Sequence, residues 1–309
     1  MASTINVPAQ RHHEGKVAIV TGSARSIGAA IARNLAAKGA NVLISYLTEG
    51  SDVAATELAK ELSATYNVKA VPCRADITTK DGCEKIIETC KSEMPANAKT
   101  GTLQVDILVH SAALFHAMPL EAVTIEDFHK VYSINVLAPI LLTQAVKPYL
   151  PTDRSGRIVC ISSIGSKVGL AYLTLYGGSK GALEAMTRTW ARELAENATV
   201  NSINPGSTAT EMFANANDAA KNAIALHYPL TPLAPVREWD SDEMKEMGNK
   251  YGGRVAYPTE IAGMVGMICS PESSWMTGCL VSANGEQNAN IVLNAKFAKC
   301  VDMARTYHK

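Results

Sequence analysis

A phenol and an ammonium stand four residues apart in Tyr176-Gly177-Gly178-Ser179-Lys180. That spacing puts both on one face of a helix. A free tyrosine ionises at a pH of about 10 and is a poor acid or base near neutrality. A neighbouring ammonium favours the phenolate and lowers that pKa. Tyr176 could then pass a proton to or from a substrate oxygen. Ser162 and Ser163 lie upstream, and a serine hydroxyl would hold and polarise the same oxygen.

A second group suits a nucleotide. Thr21 to Gly28 reads TGSARSIG, after the apolar run KVAIVT and before the helical pattern IGAAIARNLAAK. A glycine turn feeding a helix N-terminus offers backbone N–H groups and a positive dipole end to a pyrophosphate. Gly22, Ser26, Ile27 and Gly28 would form that cradle. An NAD site usually carries a carboxylate at the end of the second strand. Here that strand ends Ser45-Tyr46-Leu47-Thr48, with no acid before Glu49. With Arg25 available to meet a 2′-phosphate, NADPH/NADP+ is the expected cofactor. Ser45, Tyr46 and Thr48 border the same position. Asp76 follows the third strand, where it suits either the adenine or a turn.

The elements that must position these groups alternate strand and helix. Strands are expected at Lys16 to Thr21, Asn41 to Tyr46, Val68 to Cys73, Val105 to His110, Arg157 to Ser162, Thr199 to Ile203 and Cys279 to Ser282. Helices are expected at Ile27 to Lys38, Asp52 to Thr65 (Asp52 as N-cap), Lys80 to Lys91, Ile125 to Tyr149 and Leu175 to Glu196. Near-continuous apolar strands between helices imply a parallel sheet covered on both faces. The expected fold is α/β, a single-domain, Rossmann-like, doubly wound sheet over residues 14–287. A Pro-, Asn- and charge-rich stretch, about 212–254, is long enough for a substrate lid. Residues 1–13 are a polar N-terminal extension and 288–309 a tail.

Composition excludes several alternatives. Lys plus Arg and Asp plus Glu both number 29, so no nucleic-acid surface is expected. No apolar stretch is long enough to span a bilayer. The seven cysteines form no CxxC pair, so no metal site is expected and a reducing, cytoplasmic setting is.

These motifs together resemble the short-chain dehydrogenase/reductase family, across residues 14 to 287, and within it the NADPH-dependent ketoreductases related to 3-oxoacyl reductases and fungal polyketide naphthol reductases. The resemblance implies a catalytic set of Asn135, Ser163, Tyr176 and Lys180, with Asn135 ordering a relay water. Counting thirteen residues back from the tyrosine selects Ser163; counting from Gly165 selects Ser162, and Ser163 is preferred. Tyr176 and Lys180 also contact cofactor, as do Ser111, Ala112 and Ala113, and Pro205, Gly206, Thr208 and Thr210 of the NPGxxxT segment. The family's reaction is hydride transfer between NADPH and a ketone, here a bulky, polyketide-like one, in a homodimer or homotetramer. Two departures stand out: Ser26 for the loop's middle glycine, and His110-Ser111-Ala112-Ala113 for NNAG. His116, His227 and Trp239 are candidate pocket residues without an assigned role. A non-redox isomerase or cyclase on this fold, or an NADPH-sensing regulator, are the rivals.

Overall fold

The computed structural model describes residues 10–216, 218–225, 227–228 and 231–285. The tail expected at 288–309 and most of the N-terminal extension lie outside them. Strand β1 (Val17–Thr21) leads into α1 (Ser26–Ala37), then β2 (Asn41–Tyr46), α2 (Asp52–Tyr66), β3 (Ala70–Arg74) and α3 (Lys80–Glu93). The second half runs β4 (Ile107–His110), α4 (Ile125–Tyr132), α5 (Ala138–Val146), β5 (Gly156–Ile161), α6 (Thr174–Glu193) and β6 (Ala198–Pro205). Three helices, α7 (Glu211–Ala214), α8 (Asp218–Ala225) and α9 (Asp242–Tyr251), precede α10 (Pro258–Ile268) and β7 (Leu280–Ala283).

The seven strands form one parallel sheet in the order β3-β2-β1-β4-β5-β6-β7. The strand order reverses between β1 and β4, so a crevice opens at their C-terminal ends, where such sheets bind ligands. Every residue of β1, β5 and β6 is buried. Alternate side chains feed two cores. Val20, Ile44 and Val109 pack with α1 and α10 on one face. Ile19, Leu43, Leu108 and Ile158 pack with α3 and α5 on the other. Each such aliphatic side chain contributes about 1.5–3 kcal/mol by leaving water.

Several expected elements differ. Asp52 is not an N-cap but the first residue of α2, after a short 3₁₀ turn over Glu49–Ser51. The single helix expected over Ile125 to Tyr149 is interrupted by a π turn at Ser133–Leu137. Helix α10 was not anticipated; it packs on α1 and closes one face of the sheet.

The segment expected to form a lid has a small core of its own. Tyr228, Ala234, Met244 and Val255 are buried together, with Phe213 and Tyr257 against them. Arg254 ties its base to α10 through a two-pronged bond to Glu260, at 2.9 and 2.8 Å.

Candidate active site

Thr21 ends β1 and organises the crevice. Its Oγ1 accepts from the backbone N–H groups of Ser111 and Ala112, both at 3.0 Å. Gly22 follows with φ +62, and a Cβ there would come within 2.8 Å of Ala112 Cα. A side chain at 22 would therefore wedge the two loops apart. At Gly28 a Cβ would strike the Gly22 carbonyl oxygen. Glycine is required at both positions by close backbone approach.

Ser26, the position where a glycine is missing, has φ +54. It adopts the left-handed conformation that glycine occupies without strain, at a cost of about 1–2 kcal/mol for an L-residue. The departure thus keeps the loop's geometry.

The first turn of α1 fits a phosphate. Helices α3, α4, α7 and α9 are capped by Thr79, Thr124, Thr210 and Ser241 side chains. Helix α1 has no side-chain cap and no acid in its first turn, and Gly22 beside it is exposed. Its first N–H groups have no side-chain acceptor, and the dipole there favours an anion.

Arg25 is not a free cation. Its Nη1 lies 2.9 Å from Glu211 Oε2 at the start of α7, with both side chains mostly exposed. Exposed pairs contribute about 0–1 kcal/mol, so a phosphate could compete for the guanidinium.

The end of β2 also holds more charge than its sequence implied. The Asp52 carboxylate folds back beside the Tyr46 hydroxyl, which burial and that carboxylate push up in pKa. Arg74, at the end of β3, faces Asp52 at 3.5 Å and Glu49 at 3.7 Å. An acid is therefore present, supplied by α2 rather than by the strand, and a cation opposes it. Ser45 is buried and its carbonyl accepts from Ser23 N at 3.0 Å. Asp76 Oδ1 accepts from Thr78 N and Oγ1 at 3.0 and 2.7 Å. It is a turn aspartate with an exposed side chain.

His110, where the family has asparagine, turns into the core. It is 2% exposed, and its Nε2 lies 2.9 Å from Thr143 Oγ1 on α5. Burial lowers its pKa to about 3, so it stays neutral. Ser111, Ala112 and Ala113 remain at the crevice, half-buried.

The catalytic candidates converge at the C-terminal end of β5. Ser163 Oγ accepts from Gly165 N at 3.1 Å and lies near enough to the Tyr176 phenol to lower its pKa. Ser162 instead faces inward: it is 3% exposed, with Oγ 2.9 Å from Glu184 Oε1. Only Ser163 is directed at the phenol.

Lys180 lies one turn beyond Tyr176, buried, and its Nζ donates to the Ile161 carbonyl at 2.8 Å. Burial lowers its pKa to about 8. Tyr176 departs from expectation in the opposite direction. Burial raises its pKa, and the Ser163 hydrogen bond offsets part of that rise. The cause is desolvation of the phenolate, because the ammonium is engaged with Ile161 and 5.8 Å from the ring centroid.

Asn135 sits in the π turn, a conformation that recurs at functional sites. Its Oδ1 accepts from Leu114 N at 2.8 Å. Its Nδ2 donates to Leu114 O and Ser179 Oγ, both at 3.0 Å. The side chain thus joins the β4 loop to α6.

Pro205 and Gly206 continue from β6, with Gly206 N donating to Ala283 O at 3.2 Å. Thr208 Oγ1 donates to Gly206 O at 3.0 Å, while Thr210 caps α7. His116 Nε2 lies 3.0 Å from Asp127 Oδ1, and its neighbour Phe115 stands edge-on to Tyr176 with centroids 5.0 Å apart. His227 is half-buried, with its backbone in local turns. Trp239 is 83% exposed. Phe115 and Glu184 were not singled out from the sequence, since neither belongs to a recognisable motif.

A parallel nucleotide-binding sheet with a buried Tyr–Lys pair and a serine on the phenol defines a dinucleotide-dependent oxidoreductase. The short chain dehydrogenase family profile matches residues 16–221, and the chain belongs to that family. It is 42% identical to an L-xylo-3-hexulose reductase of Hypocrea jecorina, over 91% of this chain and 99% of that protein. It is 41% identical to an L-xylulose reductase of Aspergillus niger, over 89% and 98%. Its structure is similar to that of the angucycline C-6 ketoreductase LanV with bound NADP, with a TM-score of 0.75 and 29% identity, over 90% and 97% of the two chains. Among the described residues no helix is long and apolar enough to cross a membrane.

Proposed function

We propose that this protein reduces the ketone of a polyhydroxylated open-chain sugar to a secondary alcohol, with NADP(H) as cofactor. The observation that carries the reductase reading is the buried Tyr176 phenol, with Ser163 beside it and Lys180 one helical turn on. The sugar class rests on the two relatives at 42% and 41% identity, which match along nearly their whole length. NADPH, when bound, supplies a hydride to the carbonyl carbon.

The chain's own residues do the rest. Ser163 holds the carbonyl oxygen in hydrogen-bond reach of Tyr176. Tyr176 donates its proton as negative charge grows on that oxygen. A site built for a hydroxyl leaves the phenol protonated at neutral pH, which the raised pKa favours for reduction. Lys180 and Asn135 support proton return from solvent, and Lys180 also holds the ribose. The first turn of α1 and Gly22, Ser26, Ile27 and Gly28 hold the pyrophosphate, and Arg25 the 2′-phosphate. Ser45, Tyr46 and Asp76 border the adenosine, with Ser111 to Ala113 beneath it. Pro205, Gly206, Thr208 and Thr210 flank the nicotinamide end.

Residues 212–254 act as the substrate lid, and a bulky polyketide-like ketone is the second reading. The lid's own apolar core and the likeness to an angucycline ketoreductase favour it. Assembly as a homodimer or homotetramer would cover the exposed Ile125 and Phe128 of α4.

A panel of ketopentoses, ketohexoses and polycyclic ketones, followed by NADPH absorbance with NADH in parallel, tests the reading. The expected result is turnover with the ketoses and a preference for NADPH. Turnover of polycyclic ketones alone would select the second reading. Product formation without NADPH consumption would overturn both.

A further inference from the structure

Glu184 is a buried carboxylate, 6% exposed, on the same face of α6 as Tyr176 and Lys180 and one turn beyond the lysine. Its Oε1 gathers donors from three places: the Ser162 hydroxyl at 2.9 Å, the Ser166 hydroxyl and the Asn204 amide. Asn204 Nδ2 also donates to the Ser163 carbonyl and approaches Ser166 Oγ, both at 3.1 Å. Lys180 does not neutralise the carboxylate, since its Nζ donates to Ile161.

An unpaired buried carboxylate is costly unless its oxygens are well bonded. An apolar side chain would fill such a helix–sheet contact at less cost. What the carboxylate adds is position. Ser162 and Ser166 bracket Ser163, and Asn204 begins the Asn204-Pro205-Gly206 segment at the end of β6.

We propose that Glu184 is a positioning residue for the reaction: through Ser162, Ser166 and Asn204 it clamps the 162–166 turn to α6, so that the Ser163 hydroxyl stays beside the Tyr176 phenol. It touches neither substrate nor cofactor. The proposal rests on Ser163 and Tyr176 acting as argued above.

The near-isosteric Glu184→Gln tests it, because a neutral amide oxygen is a weaker acceptor than a carboxylate for the three donors gathered on Oε1. The expected result is a kcat lowered about 10- to 100-fold, with NADPH affinity changed less than about 3-fold. The Ser163 hydroxyl lowers the phenol pKa, so displacing it should move the alkaline limb of kcat/KM to higher pH, as Ser163→Ala should too. In a Ser163→Ala background Glu184→Gln should lower kcat no further. Multiplicative losses, or an unmoved pH limb, would overturn the proposal. Ser166→Ala removes one donor from the opposite side and should give a smaller loss with the same pH signature. Amide exchange at Gly165 supplies a readout independent of turnover, since Gly165 N–H rests on Ser163 Oγ. It should quicken about 10-fold in Glu184→Gln. Unchanged exchange would sink the clamp whatever the substrate, whereas quickened exchange in a chain that reduces no ketone would sink only the reductase reading.

Discussion

The two banks of the crevice are built on opposite principles. On the β1–α1 bank the polar groups face outward. Helix α1 begins uncapped, Gly22 is exposed and Arg25 rests on Glu211 in an exposed, exchangeable pair. On the β5–α6 bank nearly every polar group is bonded inside the protein. Ser163, Asn135, Ser179, Lys180 and Glu184 form a network fixed before any ligand arrives. The difference matches the two tasks. Binding a charged ligand needs donors that can change partners, at little loss when an exposed ion pair breaks. Chemistry needs donors already aimed, because reorganisation during the reaction would raise the barrier.

Four substitutions or conditions probe that contrast. The largest effect falls on the ordered bank. Tyr176→Phe should lower kcat at least about 10³-fold, the range for loss of a positioned acid, while NADPH affinity measured by fluorescence stays within about 2-fold. Substantial residual turnover would remove Tyr176 from the chemistry.

The second probe is acid. Burial lowers both His110 and His13 from about 6.5 to about 3. Between those pH values the unfolded chain binds more protons than the folded one. Stability is therefore fully present above about pH 6.5 and falls as the pH drops toward 3. Each histidine contributes a slope of about 1.4 kcal/mol per pH unit. Urea unfolding at pH 7.5 and pH 5 should show the loss; equal midpoints would mean that the rings are not held neutral.

Arg25→Ala comes third and acts on the open bank alone. Loss of a charge-assisted bond costs about 1.5–3 kcal/mol. NADPH should therefore weaken about 10-fold or more, with NADH and kcat nearly unchanged. Equal weakening of both cofactors would place the guanidinium elsewhere. The smallest effect is Ser26→Gly. Relief of the φ +54 conformation should raise stability by about 1 kcal/mol, less the entropy glycine adds to the unfolded chain. A lower melting temperature would mean that the serine side chain makes a contact worth more than the strain.

The strands were legible in the chain because each is a short apolar run buried on both faces, as Val17 to Thr21 and Gly156 to Ile161 are. Helix α10 was not, because Gly263 and Gly266 break its apolar pattern. Gly266 has a reason visible only in the fold: a Cβ there would collide with Asn34 Oδ1 on α1. The π turn at Asn135 was equally hidden, since one extra residue in a turn leaves the apolar spacing of the long helix almost unchanged. Ser162 and Ser163 could be separated only by counting along the chain. Their orientations in space differ by which side of the turn each faces.

By itself the sequence determined the class of fold, the glycine turn after β1 and the Tyr176–Lys180 pair. Those depend on local spacing: an apolar strand, a glycine turn, two residues one helical turn apart. The tertiary structure decided which groups are charged, aimed and free. It set Tyr176 above its ordinary pKa and Lys180 below, turned His110 into the core, paired Arg25 with Glu211 and buried Glu184 under the catalytic turn. Each follows from desolvation or from contact between residues far apart in the chain, and neither can be read from spacing along it.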